Sequence, residues 1–215
     1  MNIIFIGAPG SGKGTQSQML QKHLGIVGIS TGDALRSEVI NKSEIGILAK
    51  SYMDSGQLVP DNVVIDIIKN IIVKPSCNKG FILDGFPRNV NQALELEKML
   101  ESLAKKIDKV VFFEVSDDVL IKRISGRFSC KNCGAVYNHY FKPLKKEGYC
   151  DECGKSEFEK RDDDNEQTVK KRLEVYYQSS FPLIEFYKKK NLLVKLDALK
   201  IAPLIFEHLL SSLNS

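Results

Sequence analysis

Arginine and histidine are both scarce in this sequence, and the two shortages restrict the chemistry that the chain can perform. Only six of the 31 basic residues are arginine, so lysine serves wherever a positive charge alone is sufficient. The six are Arg36, Arg88, Arg123, Arg127, Arg161 and Arg172. A guanidinium group binds phosphate oxygens through two parallel hydrogen bonds, which an ammonium group cannot do, so these positions are candidates for phosphate binding. The three histidines are scattered, and each is interpreted as structural or surface-exposed rather than catalytic.

Long apolar runs and targeting segments are missing as well. No apolar run approaches the 18 residues of a membrane-spanning helix, and the chain enters a strand-like run at once, without a signal or transit segment. The net charge is +4, but acidic and basic residues are interspersed, which is typical of a mildly basic surface rather than of a nucleic-acid-binding stripe. We therefore expect a cytoplasmic, monomeric protein that binds neither membranes nor nucleic acids.

The most informative feature that is present is a glycine-rich segment, residues 7–15 (GAPGSGKGT), between an apolar run and a helix-like stretch. Strand, glycine-rich turn and helix N-terminus in this order are typical of a phosphate-binding loop. The glycines let backbone N–H groups surround an anion, and Lys13 supplies a full charge for the outer phosphates. The predicted contacts are Gly10, Ser11, Gly12, Lys13, Gly14 and Thr15. The hydroxyl residue comes one position later than in the usual GxxxxGK[ST] pattern, because Gly14 follows the lysine.

Short apolar runs alternate with helix-like stretches along most of the chain. Strands are predicted at 2–6, 26–29, 81–83, 110–115 and 192–196, and helices at 62–73, 89–103, 117–124 and 165–190. Asp164 and Gln167 resemble a capping box at the start of the last helix, and Pro182 should kink it. Unalternating strands separated by helices predict an α/β fold whose parallel sheet is covered by helices on both faces.

Two stretches interrupt this alternation. Residues 30–59 are helical and polar, and residues 127–164 are rich in Cys, Lys, Gly and Asp without a long apolar period. We predict a core domain of residues 1–29, 60–126 and 165–215, a helical insertion at 30–59 and a small lid at 127–164. From their positions in the chain, both insertions are expected to close over bound ligands.

Four of the five cysteines occur in two pairs, Cys130-x-x-Cys133 and Cys150-x-x-Cys153, and a glycine follows each pair. Such a turn presents two thiolates to one ion, and two turns complete a tetrahedral site, which predicts structural Zn²⁺ with no ligand position open for catalysis. A duplicated pair is less typical of a redox dithiol. Cys77 is interpreted as a free thiol without function.

The chain resembles the adenylate kinase family through several segments that occur in the family's order and spacing. Besides the glycine-rich loop they are 29–36 (ISTGDALR), 56–61 (GQLVPD), 80–88 (GFILDGFPR), 123–127 (RISGR) and 161–169 (RDDDNEQTV) with Arg172. The four-cysteine insertion is similar to the zinc-bearing lid of the long, bacterial-type enzymes. The resemblance implies a P-loop NTPase-type, five-stranded sheet and a reversible transfer from MgATP to AMP that gives two ADP.

The resemblance also implies a role for individual residues. Lys13, Arg88, Arg123, Arg127, Arg161, Arg172 and Asp84 would be catalytic, and Asp84 would hold Mg²⁺ through water. Besides the loop, ATP would contact Arg123, Arg127, Val136, Tyr137 and Lys200. AMP would contact Thr31, Arg36, Gln57, Leu58, Val59, Gly85, Phe86, Pro87, Arg88, Gln92, Arg161 and Arg172. One departure is Ala198, which stands where the family pattern leads us to expect glycine near the ATP base.

Two other interpretations remain open at this stage. Another nucleoside monophosphate kinase, acting on UMP, CMP or dTMP, would share most of these motifs, although Thr31, Gln92 and the cysteine lid favour AMP. A zinc-ribbon protein that binds nucleic acid is the second alternative, since Tyr137, Tyr140 and nearby lysines accompany the cysteines. The many acidic residues around the same module oppose it, because they would repel a phosphate backbone.

Overall fold

A five-stranded parallel sheet lies at the centre of the protein, whose computed structural model describes residues 1–214. The strands along the chain are β1 (Asn2–Gly7), β2 (Val27–Ser30), β3 (Phe81–Asp84), β4 (Lys109–Glu114), β5 (Arg127–Cys130), β6 (Val136–Asn138), β7 (Phe158–Glu159) and β8 (Leu193–Asp197). The central sheet has the order β2-β3-β1-β4-β8, and each neighbouring pair is parallel. The predicted P-loop NTPase-type α/β sheet is confirmed, and each of its strands begins and ends within one residue of the prediction.

Helices cover both faces of this sheet. They are α1 (Lys13–Leu24), α2 (Thr31–Ile40), α3 (Glu44–Asp54), α4 (Asp61–Ile72), α5 (Val90–Ser102), α6 (Asp117–Ser125), α7 (Glu166–Val175), α8 (Pro182–Lys189) and α9 (Ala202–Asn214). Within the described residues, none of them combines the length and the apolar character that crossing a membrane requires.

Alternate side chains of the central strand β1 pack in two different hydrophobic cores, one on each face of the sheet. For this reason the sequence of β1 is an unbroken apolar run. Ile3 and Phe5 pack with Leu20 of α1 and Leu209 of α9. On the opposite face, Ile4 and Ile6 pack in a cluster with apolar residues of α4, α5 and α8, namely Ile68, Leu96 and Leu183. A strand buried on both faces has no position at which a polar side chain would reach water, so it shows no alternation.

A helical hairpin, α2 and α3, separates β2 from α4. Each helix begins at a serine N-cap: the side chain of Ser30 accepts a hydrogen bond from the Asp33 N–H, and that of Ser43 from the Gly46 N–H. The two helices are in close contact at Gly46, where a Cβ atom would lie 2.1 Å from the carbonyl oxygen of Glu38. The insertion predicted at 30–59 therefore contains a tightly packed helix pair.

The segment from β5 to β7 forms a separate three-stranded antiparallel sheet in the order β6-β5-β7. Its buried cluster consists of Cys130, Tyr137 and Cys150, with Phe128 and Phe158 packed beside them. Cysteines thus make up much of this small core.

The helical stretch predicted at 165–190 begins and bends differently from the prediction. Helix α7 takes Asn165 as its N-cap, whose side chain accepts a hydrogen bond from the Thr168 N–H, so the capping box predicted at Asp164 is wrong. Asp164 forms ion pairs instead. The stretch is interrupted by a π-helical turn, Tyr176–Ser180, and Pro182 then opens α8, where the missing N–H of proline costs no helical hydrogen bond.

Replacing Gly46 by alanine should destabilise the protein by about 1–3 kcal/mol, because the new methyl group would push α3 away from the backbone of α2. Urea unfolding monitored by circular dichroism measures the change. The matched control is Ile47→Ala, at a side chain that is 70% exposed in the same helix, which should change the stability by no more than about 0.5 kcal/mol. Equal effects of the two substitutions would contradict the packing argument.

Candidate active site

Two adjoining spaces, which share several lining residues, lie beyond the carboxyl ends of the central strands, where open α/β sheets bind their ligands. The large cavity, of about 800 Å³, is lined by the glycine-rich loop, the end of β3, Arg123 and the segment 199–203. The small pocket, of about 60 Å³, lies between the helical hairpin and the side chains of Arg88 and Gln92. Arg36, Arg88 and Arg172 line both spaces. The volume of the large cavity is in the range of small-molecule sites in proteins.

The glycine-rich loop leads from β1 into α1 through two residues with positive φ. Gly10 has φ +80°, and a Cβ there would lie 2.7 Å from Ile124 Cγ1. Gly12, with φ +95°, is the N-cap of α1 and has no side chain to cap the helix, so the first backbone N–H groups of α1 are left for another partner. Unpaired N–H groups and the helix dipole together make this end of α1 an anion site.

Lys13 is folded back onto this loop. Its Nζ donates hydrogen bonds to the carbonyl oxygens of Gly7, at 2.7 Å, and Ala8, at 2.9 Å. Burial lowers the pKa of Lys13 to about 8, although Asp84 raises it. Burial likewise raises the pKa of Asp84, against the opposing effect of Lys13. The two groups stabilise each other's charge in a place where neither is well hydrated.

The arginines of the sequence converge on these spaces. Burial and the neighbouring Arg172 lower the pKa of Arg88 to about 10, and burial together with Arg127 lowers the pKa of Arg161 to about 10. The pKa of Arg172 is also lowered, chiefly by burial. Guanidinium groups that lower one another's pKa repel each other, and an anion placed among them would relieve this repulsion.

Three carboxylates that the sequence interpretation missed hold these arginines in place. Asp164, whose side chain is fully buried, receives two hydrogen bonds from Arg127, one of them from Nε at 2.8 Å. Asp163 lies 2.9 Å from Arg172, and Asp33 pairs with Arg36 at 2.5 Å and with Arg161 at 3.4 Å. For Asp163 and Asp164 the acidic run that begins at Asp162 is the available signal, but the sequence interpretation takes Asp164 as a helix cap and the run as a feature that opposes nucleic-acid binding.

The small pocket is closed by hydrogen bonds between distant segments. The hydroxyl of Thr31 donates to the carbonyl of Gly85 at 2.8 Å. The amide of Gln92 is engaged at both ends: its oxygen accepts from the Arg88 N–H at 2.7 Å, and its nitrogen donates to Asp61 at 2.7 Å. The main-chain segment 57–59 completes the wall. The pocket is therefore preorganised by its own hydrogen bonds.

Most of the residues predicted to contact nucleotides line one of the two spaces, but Ser11 and Phe86 do not. Ser11 lies fully buried beneath the loop, where its hydroxyl accepts a hydrogen bond from Lys13 at 3.3 Å. Phe86 is a core residue packed between the sheet and its helices. Ala198 is also fully buried, and the neighbouring Lys200 lines the large cavity.

At the outer end of the large cavity, the Arg123 guanidinium lies over the ring of Phe141, 5.4 Å from its centre. Asn138, another residue that the sequence interpretation missed, connects the two. Its side-chain nitrogen donates to the Arg123 carbonyl at 2.7 Å, and its oxygen accepts from the Phe141 N–H at 3.2 Å. Val136 and Tyr137 also line this wall, but the Tyr137 side chain is buried, and its hydroxyl lies beside Cys150.

The four paired cysteines come together, with their sulfur atoms all within 4.8 Å of one another. Each pair is closed by a backbone hydrogen bond, from the Gly134 N–H to Cys130 and from the Gly154 N–H to Cys150. Burial raises the pKa of Cys150, but hydrogen bonds from Tyr137 and from backbone N–H groups outweigh it and lower the pKa to about 6. Four convergent sulfur ligands that are not joined by disulfides fit a tetrahedral soft metal ion.

Comparison with known proteins agrees with this geometry. A family model described as adenylate kinase matches residues 5–192. A protein of Caldicellulosiruptor saccharolyticus named adenylate kinase is 54% identical over 194 residues, which are 90% of each chain. The adenylate kinase of Archaeoglobus fulgidus is 50% identical over 93% of this chain and 92% of its own. The adenylate kinase of Enterococcus faecalis is 48% identical over 96% and 95%. The chain belongs to the adenylate kinase family.

Proposed function

We propose that this protein transfers the terminal phosphoryl group of ATP to AMP and forms two molecules of ADP. The observation that carries the proposal is the convergence of Lys13 and several buried arginines on a large cavity that adjoins a second, smaller pocket. Two neighbouring anion sites are what a reaction between two nucleotides requires. Membership of the adenylate kinase family supports the same substrates.

The donor nucleotide would occupy the large cavity. The backbone of 10–15 and Lys13 would hold its phosphates, with Lys13 exchanging the Gly7 and Ala8 carbonyls for phosphate oxygens. Its base would lie near Arg123 and Lys200, beside the wall formed by Val136 and Tyr137. The segment 199–203 offers backbone groups and apolar side chains but few charges, which suits a neutral purine.

The acceptor would occupy the small pocket, with its phosphate between Arg36 and Arg88. Both guanidinium groups line the two spaces, so a phosphate there would face the donor. The segment 57–59 forms part of the wall of this pocket, while Gly85 and Pro87 line the adjoining large cavity. Thr31 and Gln92 would contact the base. Because the two bases would meet different walls, the two sites are expected to differ in specificity.

The reaction would need no general base. The attacking oxygen of AMP is already ionised at neutral pH, so it forms the new P–O bond as the bond between the γ-phosphorus and the bridging oxygen breaks, and ADP leaves. Arg127, Arg161 and Arg172 would neutralise charge on the transferred group, as preorganised positive charges do in a site that excludes water. The scarcity of histidine in the site agrees with this mechanism.

Magnesium bound to ATP would supply additional positive charge on the phosphates. Asp84 is the residue that would hold it, through water, because its carboxylate faces the loop: a Cβ on Gly14 would lie 3.6 Å from Asp84 Oδ2. In this loop, Thr15 and Asp84 would share the contacts that a hydroxyl directly after the lysine makes in other phosphate-binding loops.

The two insertions, 30–59 and 127–164, would close over the bound nucleotides. Asp33 of the first and Arg161 of the second are 3.4 Å apart across the large cavity, which indicates that their charges attract each other.

We further propose that the four cysteines bind Zn²⁺ with a structural role, that the protein is monomeric, and that nucleic acid is not a partner.

AMP should be the preferred acceptor. In a coupled ADP assay with MgATP as donor, we expect AMP to react at least about tenfold faster than UMP, CMP or dTMP, because the small pocket is preorganised around one base. The Lys13→Ala variant should lose nearly all of this activity but keep its melting temperature. That result would assign the turnover to this site. Equal rates with UMP would contradict the assignment of AMP.

The affinity for ATP should fall above pH 8. Lys13, with a pKa of about 8 in the free protein, must be protonated to bind phosphate, and binding then raises its pKa. The association constant is therefore expected to decrease by up to about tenfold per pH unit between pH 8 and 9.5. Isothermal titration calorimetry measures it. Lys13→Ala should bind weakly and without this pH dependence, and a flat profile for the natural protein would contradict the role of Lys13.

Cys150→Ser should lower the metal content and the melting temperature more than it lowers turnover at low temperature, because the site stabilises the lid and carries out no chemistry. Metal analysis and thermal unfolding measure the two effects. Cys77→Ser is the matched control: this thiol is fully buried in the main core, so its loss should leave the metal content unchanged. An unaltered zinc content in Cys150→Ser would contradict the four-thiolate site.

A further inference from the structure

The side chain of Tyr137 contacts the cysteine cluster, although its position on β6 places it in the wall of the large cavity. Its hydroxyl oxygen lies 3.2 Å from Cys150 Sγ. The residue is only 1% exposed, and the ring packs against Phe128, with ring centres 5.6 Å apart, and against Phe158, at 6.0 Å. The hydroxyl is therefore held at the sulfur by a rigid aromatic cluster.

The direction of the hydrogen bond to sulfur follows from the other partner of the hydroxyl. The backbone N–H of Asp151 donates to the same oxygen at 2.8 Å, so the oxygen already acts as an acceptor there. The single phenolic hydrogen remains, and the nearby sulfur is its partner. A metal-bound cysteine is a thiolate and can only accept, so Tyr137 is the donor.

We propose that Tyr137 is a positioning residue of the metal site, whose hydroxyl orients the Cys150 thiolate and slows the loss of the metal. The proposal rests on the metal site proposed above. Hydrogen bonds to the ligands of a metal ion fix their orientation and tune their basicity, and their removal commonly lowers metal affinity by about 10–100-fold. Tyr137 is well placed for this function, because the same hydroxyl also holds the backbone directly after Cys150.

This role joins the metal site to the nucleotide-binding wall. Val136 and Asn138, the two neighbours of Tyr137 on β6, both line the large cavity, and Asn138 holds Arg123 and the turn that carries Phe141. On β6, the Tyr137 side chain thus contacts the cysteines, while Val136 and Asn138 face the nucleotide-binding cavity. Loss of the Tyr137 hydroxyl would loosen this wall of the cavity. It would not remove a side-chain group that contacts ATP.

The test compares zinc-loaded Tyr137→Phe with the natural protein and with Tyr149→Phe. Tyr149 precedes Cys150 in the chain, but its side chain is 47% exposed, which makes it a control for changes close to the ligand. Transfer of zinc to an excess of a chromogenic chelator is followed by absorbance. We expect transfer from Tyr137→Phe to be about tenfold faster than from the other two proteins.

A second measurement separates the hydrogen bond from simple loosening of the lid. In the cobalt-substituted proteins, a thiolate that has lost a hydrogen bond donates charge more readily, so the sulfur-to-cobalt absorption band of Tyr137→Phe should move to longer wavelength. Loss of packing alone would broaden the band without moving it. Equal transfer rates, or an unshifted band, would overturn the proposal. A natural protein that retains no metal would instead refute the metal site itself.

Discussion

Repulsion among buried cations is the constraint on which the rest of the structure depends. Lys13, Arg88, Arg161 and Arg172 lie in or beside one cavity, and burial lowers the pKa of each of them. The nearby carboxylates, including Asp84, offset part of this charge and keep the side chains oriented. Repulsion in the empty site lowers the stability of the folded protein, and a ligand with several negative charges relieves it. This preference for an anion is the property that a nucleotide-binding enzyme requires.

The two parts of the molecule differ in what makes them rigid. The glycine-rich loop lies between a strand buried on both faces and the start of α1, so its backbone N–H groups are held by the main core. The three-stranded sheet of β5, β6 and β7 has no comparable core: Cys130, Tyr137 and Cys150 form its buried centre. A metal site can replace hydrophobic burial in so small a unit, because metal binding supplies folding free energy directly. With the proposed metal bound, the rigidity of this unit would come from the cysteines and from Tyr137.

Much of this organisation could be predicted because it depends on local sequence. Apolar runs predict the strands, a glycine pattern predicts the loop between β1 and α1, and two cysteine pairs predict a cluster of four cysteines, and the structure contains all three. The capping box predicted at Asp164 is wrong: an acidic residue before a helix suggests a cap, but Asn165 is the N-cap of α7. The actual partner of Asp164, Arg127, is 37 residues away, and only the fold brings them together. Asn138 was missed for the same reason, since its contact with Arg123 has no local signature.

The sequence by itself determined the α/β class, the glycine-rich loop between the first strand and the first helix, and the two cysteine pairs that form one cluster, because each of these is encoded in residue type and short-range spacing. Only the tertiary structure decided which carboxylate holds which arginine, that Ser11 and Phe86 support the site from beneath, and that the Tyr137 side chain faces the cysteines. These outcomes depend on the direction of a side chain in a packed interior, which distant segments decide together.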